Sequence, residues 1–190
     1  KAVVKRLMKG HRTTVLPESG VEYKVRFMLR KNVCEIMLDT TGEGLHKRGY
    51  RRNAMEAPIR ETLAATIADL GRVRRDSLVE DPFCGSGTLL IEAAQKAMNI
   101  APGLKRRFAA ERYGFVPAAI WAEQRQKALA EAKLDVGFEA FGYDIDPAAV
   151  ALANANAKLA GVEKRCHFEV ADVAAFAAKQ EALVLTNPPS

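Results

Sequence analysis

The chain has 190 residues, of which 48% are apolar and 27% charged, and this is the size and composition of one globular domain with a small appendage. No run of about 18 apolar residues occurs, so we expect no membrane-spanning helix. The three cysteines, Cys34, Cys84 and Cys166, lie far apart without CxxC spacing, which argues against disulfide bonds and metal binding and predicts a cytoplasmic location.

Charge is divided unevenly along the chain. Residues 1–75 contain 17 Lys and Arg against 8 Asp and Glu, a net charge of +9, whereas residues 76–190 carry a net charge of −3. A basic third beside a mildly acidic remainder is typical of a polyanion-facing surface next to a small-molecule site. An ordinary solvated surface is the alternative, and the charge alone does not choose between them.

The first part of the chain predicts an appendage. Residues Ala2–Gly10 form a short helical pattern, and the break that follows at residues 16–20 makes us expect the end of an upstream segment. Apolar and polar side chains then alternate with period two over Tyr23–Leu29 and Val33–Asp39, which predicts a β-hairpin with its turn at Arg30–Asn32. Its outward Lys24, Arg26 and Arg30 are either phosphate contacts or a solvated strand face.

The loop Thr40–Arg52 is too polar and too rich in glycine for a core element. It contains one aromatic ring, Tyr50, and five cationic side chains when histidine is counted: His46, Lys47, Arg48, Arg51 and Arg52. Loops of this composition often contact phosphates or bases, and a positively charged linker is the alternative. His46 has no second ligand at metal spacing, so we do not expect it to bind a metal.

The rest of the chain alternates strands and helices. A helix with Pro58 in its first turn and Ile59, Leu63, Ile67 and Leu70 on one face ends at Gly71. Strand Leu78–Asp81 and a helix from Thr88 to about Met98 follow. An unusually long insertion then contains an irregular stretch, Asn99–Val116, and a helix from Pro117 to about Leu134 with Trp121 on its apolar side.

The last third predicts three more strands. Strand Phe138–Asp144 leads into a helix that Asp146 and Pro147 cap and Gly161 ends. Strand Cys166–Val170 is followed by a short helix, Val173–Lys179, and by an apolar strand, Ala182–Thr186. This order predicts an α/β fold with a parallel sheet and a ligand at the carboxyl ends of the strands. Such sheets usually have further strands, so we expect the domain to be truncated at its C-terminal side.

The stretch Val79–Thr88 predicts a strand, a tight loop and a helix N-terminus. Gly85 and Gly87 can adopt positive φ and leave the backbone open to a ligand, and free N–H groups of the first helical turn favour an anionic or carboxylate-bearing partner. The loop lacks the Lys of a triphosphate-binding loop and the third Gly of the dinucleotide fingerprint.

Two later motifs lie at strand ends of the predicted sheet. Asp144 can accept both ribose hydroxyls of a nucleoside and Ile145 can cover its base, whereas Asp146 suits helix capping. Asp172 can accept from an adenine amine. In Asn187-Pro188-Pro189, two prolines fix an extended turn that presents the Asn187 amide oxygen and the Pro188 carbonyl as a pair of acceptors for a planar amino group. A purely structural Pro-Pro turn is the alternative.

These motifs together resemble the S-adenosylmethionine-dependent methyltransferases that modify amino nitrogens of bases. The segments Asp81–Thr88 and Asn187–Pro189 match their cofactor loop and amine-holding motif. The segments Leu38–Arg51, Ala57–Ala65 and Asn99–Gly103 look like the THUMP-associated RNA methyltransferases related to the 23S rRNA guanine-N2 enzymes. The resemblance covers the chain from about residue 16 onwards.

The resemblance implies a Rossmann-like class I methyltransferase fold with S-adenosyl-L-methionine as its cofactor and no metal. It also implies that the partner is RNA, and 23S rRNA in particular. It divides the chain into a remnant of an upstream RNA-binding THUMP region (1–20), the hairpin and basic loop (21–56) and an incomplete methyltransferase domain (57–190). Three groups of site residues follow from it. The cofactor would contact Asp81, Pro82, Phe83, Gly85, Gly87, Thr88, Asp144, Ile145, Asp172 and Val173. The target amine would be held by Asn187, Pro188 and Pro189. RNA would contact Lys47, Arg48, Arg51 and Arg52.

One position departs from the family pattern. An aromatic residue that stacks on the flipped-out base is expected after the two prolines, and this sequence has Ser190 there. Three other functions stay open. An adenine-N6 and a protein-glutamine methyltransferase present a planar nitrogen to the same turn, and Ser190 with the truncated sheet favours a non-catalytic RNA-binding protein that kept the fold.

Overall fold

The computed structural model describes residues 1–51 and 59–189. Within them, a helix and a hairpin precede an α/β unit. The helices are α1 (Ala2–Gly10), α2 (Glu61–Leu70), α3 (Thr88–Ala97), α4 (Ala118–Glu131) and α5 (Pro147–Ala160). The strands are β1 (Val25–Arg30), β2 (Val33–Leu38), β3 (Leu78–Asp81), β4 (Glu139–Asp144), β5 (Cys166–Val170) and β6 (Leu183–Val184). No helix in this part of the chain has the length and apolar character needed to cross a membrane.

The main sheet confirms the predicted parallel α/β architecture. Its strand order is β5-β4-β3-β6, and each neighbouring pair is parallel. All four strands therefore direct their carboxyl ends to the same edge, where the chain leaves the sheet at Asp81, Asp144, Val170 and Val184. This edge brings segments that are up to about a hundred residues apart in sequence into one place.

Helix α3 is the centre of the hydrophobic core. Nine of its ten residues are buried, the exception being Lys96. It packs against α2, where Ala64 and Ala68 are fully buried, and small side chains of this kind allow two helices to pack closely. Helix α5 contacts α3 on another side. The position of the α3 N-terminus at the carboxyl edge of the sheet is thus fixed by packing on several sides.

Several predicted boundaries are confirmed. Strand β5 and the N-cap of α5 are where the sequence predicts them, with the Ala148 N–H donating to Asp146 Oδ1 over 2.9 Å. Gly161 follows α5 with a left-handed φ of 80°. The hairpin is also confirmed, although its turn consists only of Lys31 and Asn32, both with positive φ, as a two-residue turn between twisted strands requires.

Other boundaries and faces were predicted wrongly. Helix α2 begins at Glu61 and buries Glu61, Ala64 and Ala68, whereas Leu63 and Leu70 are exposed, because the close contact with α3 selects small side chains. Pro58 lies outside the described residues. Helix α4 ends at Glu131 and buries no residue.

The end of the sheet also differs from the prediction. Residues Val173–Ala175 form one 3₁₀ turn instead of a helix extending to Lys179. Strand β6 pairs over two residues only, and Val184 is 41% exposed because the described sheet has no strand beyond it.

The hairpin stands apart from the main sheet and is attached at its base. The Tyr23 and Tyr113 rings stack at 4.6 Å between centroids, and the N–H of Ala110 donates to the Thr40 carbonyl over 3.1 Å. One hairpin face is apolar and exposed, with Phe27 opposite Ile36. The irregular stretch of the long insertion therefore anchors the hairpin to the α/β unit.

We predict that the two glycines of the loop before α3 differ in their effect on stability. A Cβ at Gly87 would lie 2.8 Å from the Phe168 ring and 3.0 Å from the Ala153 methyl group, whereas a Cβ at Gly85 would meet no protein atom within 4 Å. Gly87→Ala should lower the free energy of unfolding by about 2 to 4 kcal/mol and Gly85→Ala by about 1 kcal/mol. Both positions have positive φ, which strains an alanine, but only at position 87 would the added methyl group also clash with its neighbours. Urea unfolding without ligand measures both, and equal losses would contradict this packing.

Candidate active site

A cavity of about 470 Å³ lies at the carboxyl edge of the sheet, a volume typical of small-molecule sites. The three motifs that the sequence singled out meet in its wall, although they lie in separate parts of the chain. The lining residues are Ile59, Asp81, Pro82, Phe83, Cys84, Gly85, Ser86, Thr88, Leu89, Asp144, Ile145, Ala171, Asp172, Val173, Asn187, Pro188 and Pro189. The fold therefore brings together the predicted cofactor-binding and amine-holding residues, with one exception.

The exception is Gly87, which does not line the cavity. It is the N-cap of α3, with a φ of 75°, and packs against Phe168 and Ala153. Gly85 does line the cavity, and a side chain there would project into space that no protein atom fills. The two glycines therefore have different structural roles, one in packing and one in keeping the cavity open.

The glycine-rich loop is held by hydrogen bonds from two other elements. The Asn156 side-chain amide, buried on α5, donates to the Ser86 carbonyl over 3.0 Å. The Gly85 N–H donates to Asp144 Oδ2 at the end of β4 over 2.9 Å. The loop shape is thus fixed by tertiary contacts without any ligand, which lowers the entropic cost of binding one.

Asp144 performs two tasks at the end of β4. Its Oδ2 accepts from Gly85 and its Oδ1 accepts from the Asp146 N–H over 3.0 Å. Each carboxylate oxygen has a second lone pair, so the group can still accept from a ligand in the cavity. The next side chain, Ile145, is 69% exposed and lines the cavity beside it. Asp144 is therefore both a support of the loop and an available acceptor.

Asp81 is a buried carboxyl group in the cavity wall. It is 2% exposed, and its Oδ1 accepts from the Phe83 N–H over 3.0 Å. Burial raises the pKa of Asp81 to about 6, and the nearby Asp144 carboxylate adds to the increase. The group is poised to ionise near neutral pH and would be stabilised as a carboxylate by a cationic partner.

The far side of the cavity consists of chain that leaves β5 and β6. Asp172 Oδ1 accepts from the Ala174 N–H over 2.8 Å, and Asp172 stays exposed beside Val173. The Leu185 N–H donates to the Glu80 carbonyl over 3.0 Å and so fixes the exit from β6. Asn187, Pro188 and Pro189 follow in exposed positions and line the cavity. Ser190 lies outside the described residues.

The Arg48 side chain is 12% exposed, and its partners lie within the fold. Its guanidinium lies 3.5 Å from Glu92 on α3 and donates to the Leu45 carbonyl over 3.0 Å. Tyr50, 1% exposed, donates its hydroxyl to the same Glu92 carboxylate over 3.0 Å. Burial raises the pKa of Glu92 and the Arg48 charge opposes the increase. The loop thus supplies a buried polar cluster to the core, contrary to the prediction that it lies outside the core.

Arg51 is also directed inwards. Its guanidinium donates to Thr88 Oγ1 and, over 3.1 Å, to the Ile59 carbonyl, and its Nε lies 3.6 Å from Glu61. Thr88 and Ile59 both line the cavity, so Arg51 connects two parts of its wall. The described geometry therefore gives both Arg48 and Arg51 partners within the fold.

Among the four residues predicted to contact RNA, Lys47 is exposed, 2.9 Å from Glu43. Arg52 lies outside the described residues. Within residues 1–51 and 59–189, no three His, Cys, Asp or Glu side chains are grouped as a metal site would require.

Sequence reasoning missed five of the lining residues: Ile59, Cys84, Ser86, Leu89 and Ala171. Four of them are direct neighbours of predicted residues, so the motifs themselves carried the signal. Ile59 is different, because the sequence pattern assigned it to the apolar face of a helix. In the structure it lines the cavity, and its carbonyl accepts a hydrogen bond from Arg51.

Comparison with known proteins gives a consistent result. A model of the family described as "RMKL-like, methyltransferase domain" matches residues 48–190. The Bacillus subtilis protein named "Putative RNA methyltransferase YpsC" is 40% identical over 192 residues, which cover 100% of this chain and 50% of that protein. The "Ribosomal RNA large subunit methyltransferase K/L" of Shewanella baltica is 44% identical over 174 residues, 88% of this chain and 24% of that protein.

A solved structure shares the whole described architecture. It is titled "Crystal structure of SMU.472, a putative methyltransferase complexed with SAH" and superposes with a TM-score of 0.88 at 39% identity. The match covers 99% of this chain and 50% of that chain. The present chain therefore spans about half the length of two of these relatives and about a quarter of the third.

We predict that Arg48 contributes to folding through its pairing with Glu92. Arg48→Met leaves a buried carboxylate without its ion pair and should lower the free energy of unfolding by about 3 kcal/mol. Adding Glu92→Gln should recover part of this loss, because neutral Gln still accepts from Tyr50. The exposed neighbour Lys47 offers a matched control, and Lys47→Met should change stability by less than about 0.5 kcal/mol. Equal effects of Arg48→Met and Lys47→Met in urea unfolding would show that the ion pair is not stabilising.

Proposed function

The chain belongs to the RMKL-like methyltransferase family, and on that premise we propose that it is part of an S-adenosyl-L-methionine-dependent RNA methyltransferase. The enzyme modifies an exocyclic amine of an RNA base. The target that we favour is guanine N2 of 23S rRNA. One observation carries this proposal. A single cavity is lined both by the glycine-rich loop with Asp144 and by the turn Asn187–Pro189. A cofactor and an amine can therefore meet in it.

The residues present fit this cofactor. Gly85 leaves the cavity open next to the loop, and Asp144 keeps free lone pairs for ribose hydroxyls. Ile145 offers an apolar surface for the base, and Asp172 and Val173, which also line the cavity, would contact the adenine. Asp81 supplies a carboxylate for the methionine ammonium group. When bound, S-adenosyl-L-methionine supplies a methyl group on a sulfonium, which is already a strong electrophile.

The turn Asn187–Pro189 positions the amine. The two prolines have no N–H and fix φ, so the turn is rigid and presents the Asn187 amide oxygen and the Pro188 carbonyl as acceptors. These acceptors orient an –NH₂ group and stabilise the positive charge that develops on its nitrogen during transfer. All three residues are exposed, so a nucleobase can reach them. The amine proton then leaves to solvent, and no side chain needs to act as a strong base.

RNA is supported as the substrate class by the names of the relatives and by the charge of the chain. Two of the similar proteins are named RNA methyltransferases, one of them for large-subunit ribosomal RNA. Residues 1–75 carry the net positive charge that a polyanion attracts. An adenine-N6 or protein-glutamine methyltransferase presents the same planar nitrogen to the same turn, so these remain the competing assignments.

The test of the proposal is product analysis. The protein is incubated with labelled S-adenosyl-L-methionine and 23S rRNA from cells that lack the gene, and the RNA is digested to nucleosides for mass spectrometry. We expect labelled N2-methylguanosine. Labelled N6-methyladenosine would overturn the guanine assignment, and label in protein alone would overturn RNA as the substrate. A protein that binds RNA but not S-adenosylhomocysteine would be a non-catalytic RNA-binding protein.

We predict separate effects for Asp144 and Asn187. Asp144→Ala removes the acceptor that holds the Gly85 N–H and the ribose, and should reduce S-adenosylhomocysteine affinity at least about 100-fold, the worth of two charge-assisted hydrogen bonds. Asn187→Ala should leave this affinity within about twofold and lower turnover by about 100-fold or more, as loss of one aligned acceptor does. Calorimetry and single-turnover assays measure the two effects. If Asn187→Ala lost affinity as much as turnover, the amine-holding role would be wrong.

We predict that cofactor affinity depends on pH through Asp81. Its pKa of about 6 in the free protein should fall when the methionine ammonium pairs with the carboxylate, so the ligand binds the ionised form. Affinity for S-adenosylhomocysteine should therefore fall as the pH drops through 6, by about tenfold between pH 7 and pH 5. The Asp81→Asn variant should bind weakly and without this pH dependence. Unchanged affinity in the wild type across calorimetric titrations from pH 5 to pH 7.5 would contradict the pairing.

A further inference from the structure

A second cavity, of about 760 Å³, is lined in part by Arg51, which hydrogen-bonds to two lining residues of the first cavity, Ile59 and Thr88. Its lining is strongly basic. Six of the lining side chains are Lys or Arg, and two are acidic, Glu43 and Glu61. The cations come from two segments far apart in sequence, with Lys47, Arg48 and Arg51 on one side and Lys105, Arg106 and Arg107 on the other. We call it the basic cavity.

Arg106 is a buried arginine in the lining of the basic cavity. It is 7% exposed, and its guanidinium donates only to backbone carbonyls, those of Thr41, Glu43, Gly44 and Lys47. No carboxylate of the described residues forms an ion pair with it, although the acidic charge of Glu43 in the same lining acts on it. A charge in that position favours an anion in the adjoining space.

Unpaired donors point to the same conclusion. The Nε atoms of Arg48 and Arg106 are buried and have no hydrogen-bond partner among the residues that the structure describes. Buried guanidinium donors are normally satisfied, and a tetrahedral oxyanion presents enough lone pairs to accept from several of them. These two donors of lining residues are thus short of acceptors, which a phosphate group would supply.

The mouth of the basic cavity carries exposed cations. Lys105 is exposed, and the Arg107 side chain is 89% exposed and lies 3.1 Å from Glu111. Lys47 pairs with Glu43 at a comparable distance. Exposed pairs of this kind contribute little free energy, so the cations can exchange them for a phosphate at low cost. They provide the long-range attraction that a polyanion requires.

Arg51 links this cavity to the active site. It lines the basic cavity, and it donates to Thr88 Oγ1, which lines the active-site cavity. We propose that the basic cavity binds a backbone phosphodiester of the RNA whose target base enters the active site, and this rests on the proposed function. Phosphate contacts fix the register of a nucleic acid without reading its sequence. The cavity would thus position the RNA chain while Asn187 selects the amine.

The test reverses the two exposed cations, in the double variant Lys105→Glu with Arg107→Glu. The matched control is Lys158→Glu with Lys164→Glu, an equal charge change at exposed positions near the amino ends of the strands. Binding to an unmodified 23S rRNA fragment is measured against salt concentration, together with methylation kinetics and calorimetry with S-adenosylhomocysteine. A phosphate titration at constant ionic strength, followed by thermal shift, detects binding of free phosphate.

We expect the first variant to bind RNA at least tenfold more weakly, with a slope of log K against log salt reduced by about 1 to 2. The KM for RNA should rise while kcat and S-adenosylhomocysteine affinity stay the same. Equal weakening by the control pair would overturn the proposal, because a general field effect would explain both. Unchanged RNA binding in the first variant would also overturn the proposal. If that variant then lost the thermal shift caused by phosphate, the cavity would be a site for a free anion. Failure of the wild type to methylate any RNA would instead refute the proposed function itself.

Discussion

The hydrogen bond from the Gly85 N–H to the Asp144 carboxylate, 2.9 Å long, is the contact on which the site depends. It joins the loop after β3 to the end of β4, across 59 residues of sequence, and the same carboxylate also fixes the backbone at Asp146. Because one oxygen supports each segment, the loop, the start of α5 and the free lone pairs of Asp144 occupy one fixed arrangement. A ligand that uses those lone pairs finds them already oriented.

Parallel strand order accounts for the rest of the cavity. In the order β5-β4-β3-β6, the two central strands supply Asp81 and Asp144, and the outer strands supply the segments that carry Asp172 and Asn187. Ligands of open α/β sheets bind outside the carboxyl ends of such strands for this reason. The short strand β6 is long enough to position Asn187, because a hydrogen bond from the Leu185 N–H to the Glu80 carbonyl keeps the chain beside β3 after β6 ends.

Local patterns in the sequence predicted the elements whose causes are local. Asp146 and Gly161 act through their own backbone neighbourhood, so the limits of α5 could be predicted, as could the strand Cys166–Val170. Contacts between distant segments could not. The polar loop that contains Arg48 and Tyr50 has the composition of a solvent-exposed segment, and only the fold brings Glu92, more than 40 residues away, to pair with both. The partners of Arg48 within the fold therefore could not be predicted, and Lys105 and Arg107 were not singled out because the insertion that carries them has no periodic pattern.

The central claim is that one cavity holds a methyl donor next to an amine-binding turn, and a crystal structure of the chain with S-adenosylhomocysteine tests it most directly. We expect the ribose hydroxyls on the Asp144 carboxylate and the sulfur facing the Asn187 amide oxygen. The gap between them should fit one amino group, whose nitrogen lies about 3 Å from each neighbour. A ligand bound away from Gly85 and Asp144, or an Asn187 side chain turned away from the sulfur with no room for a nucleobase between them, would contradict the account.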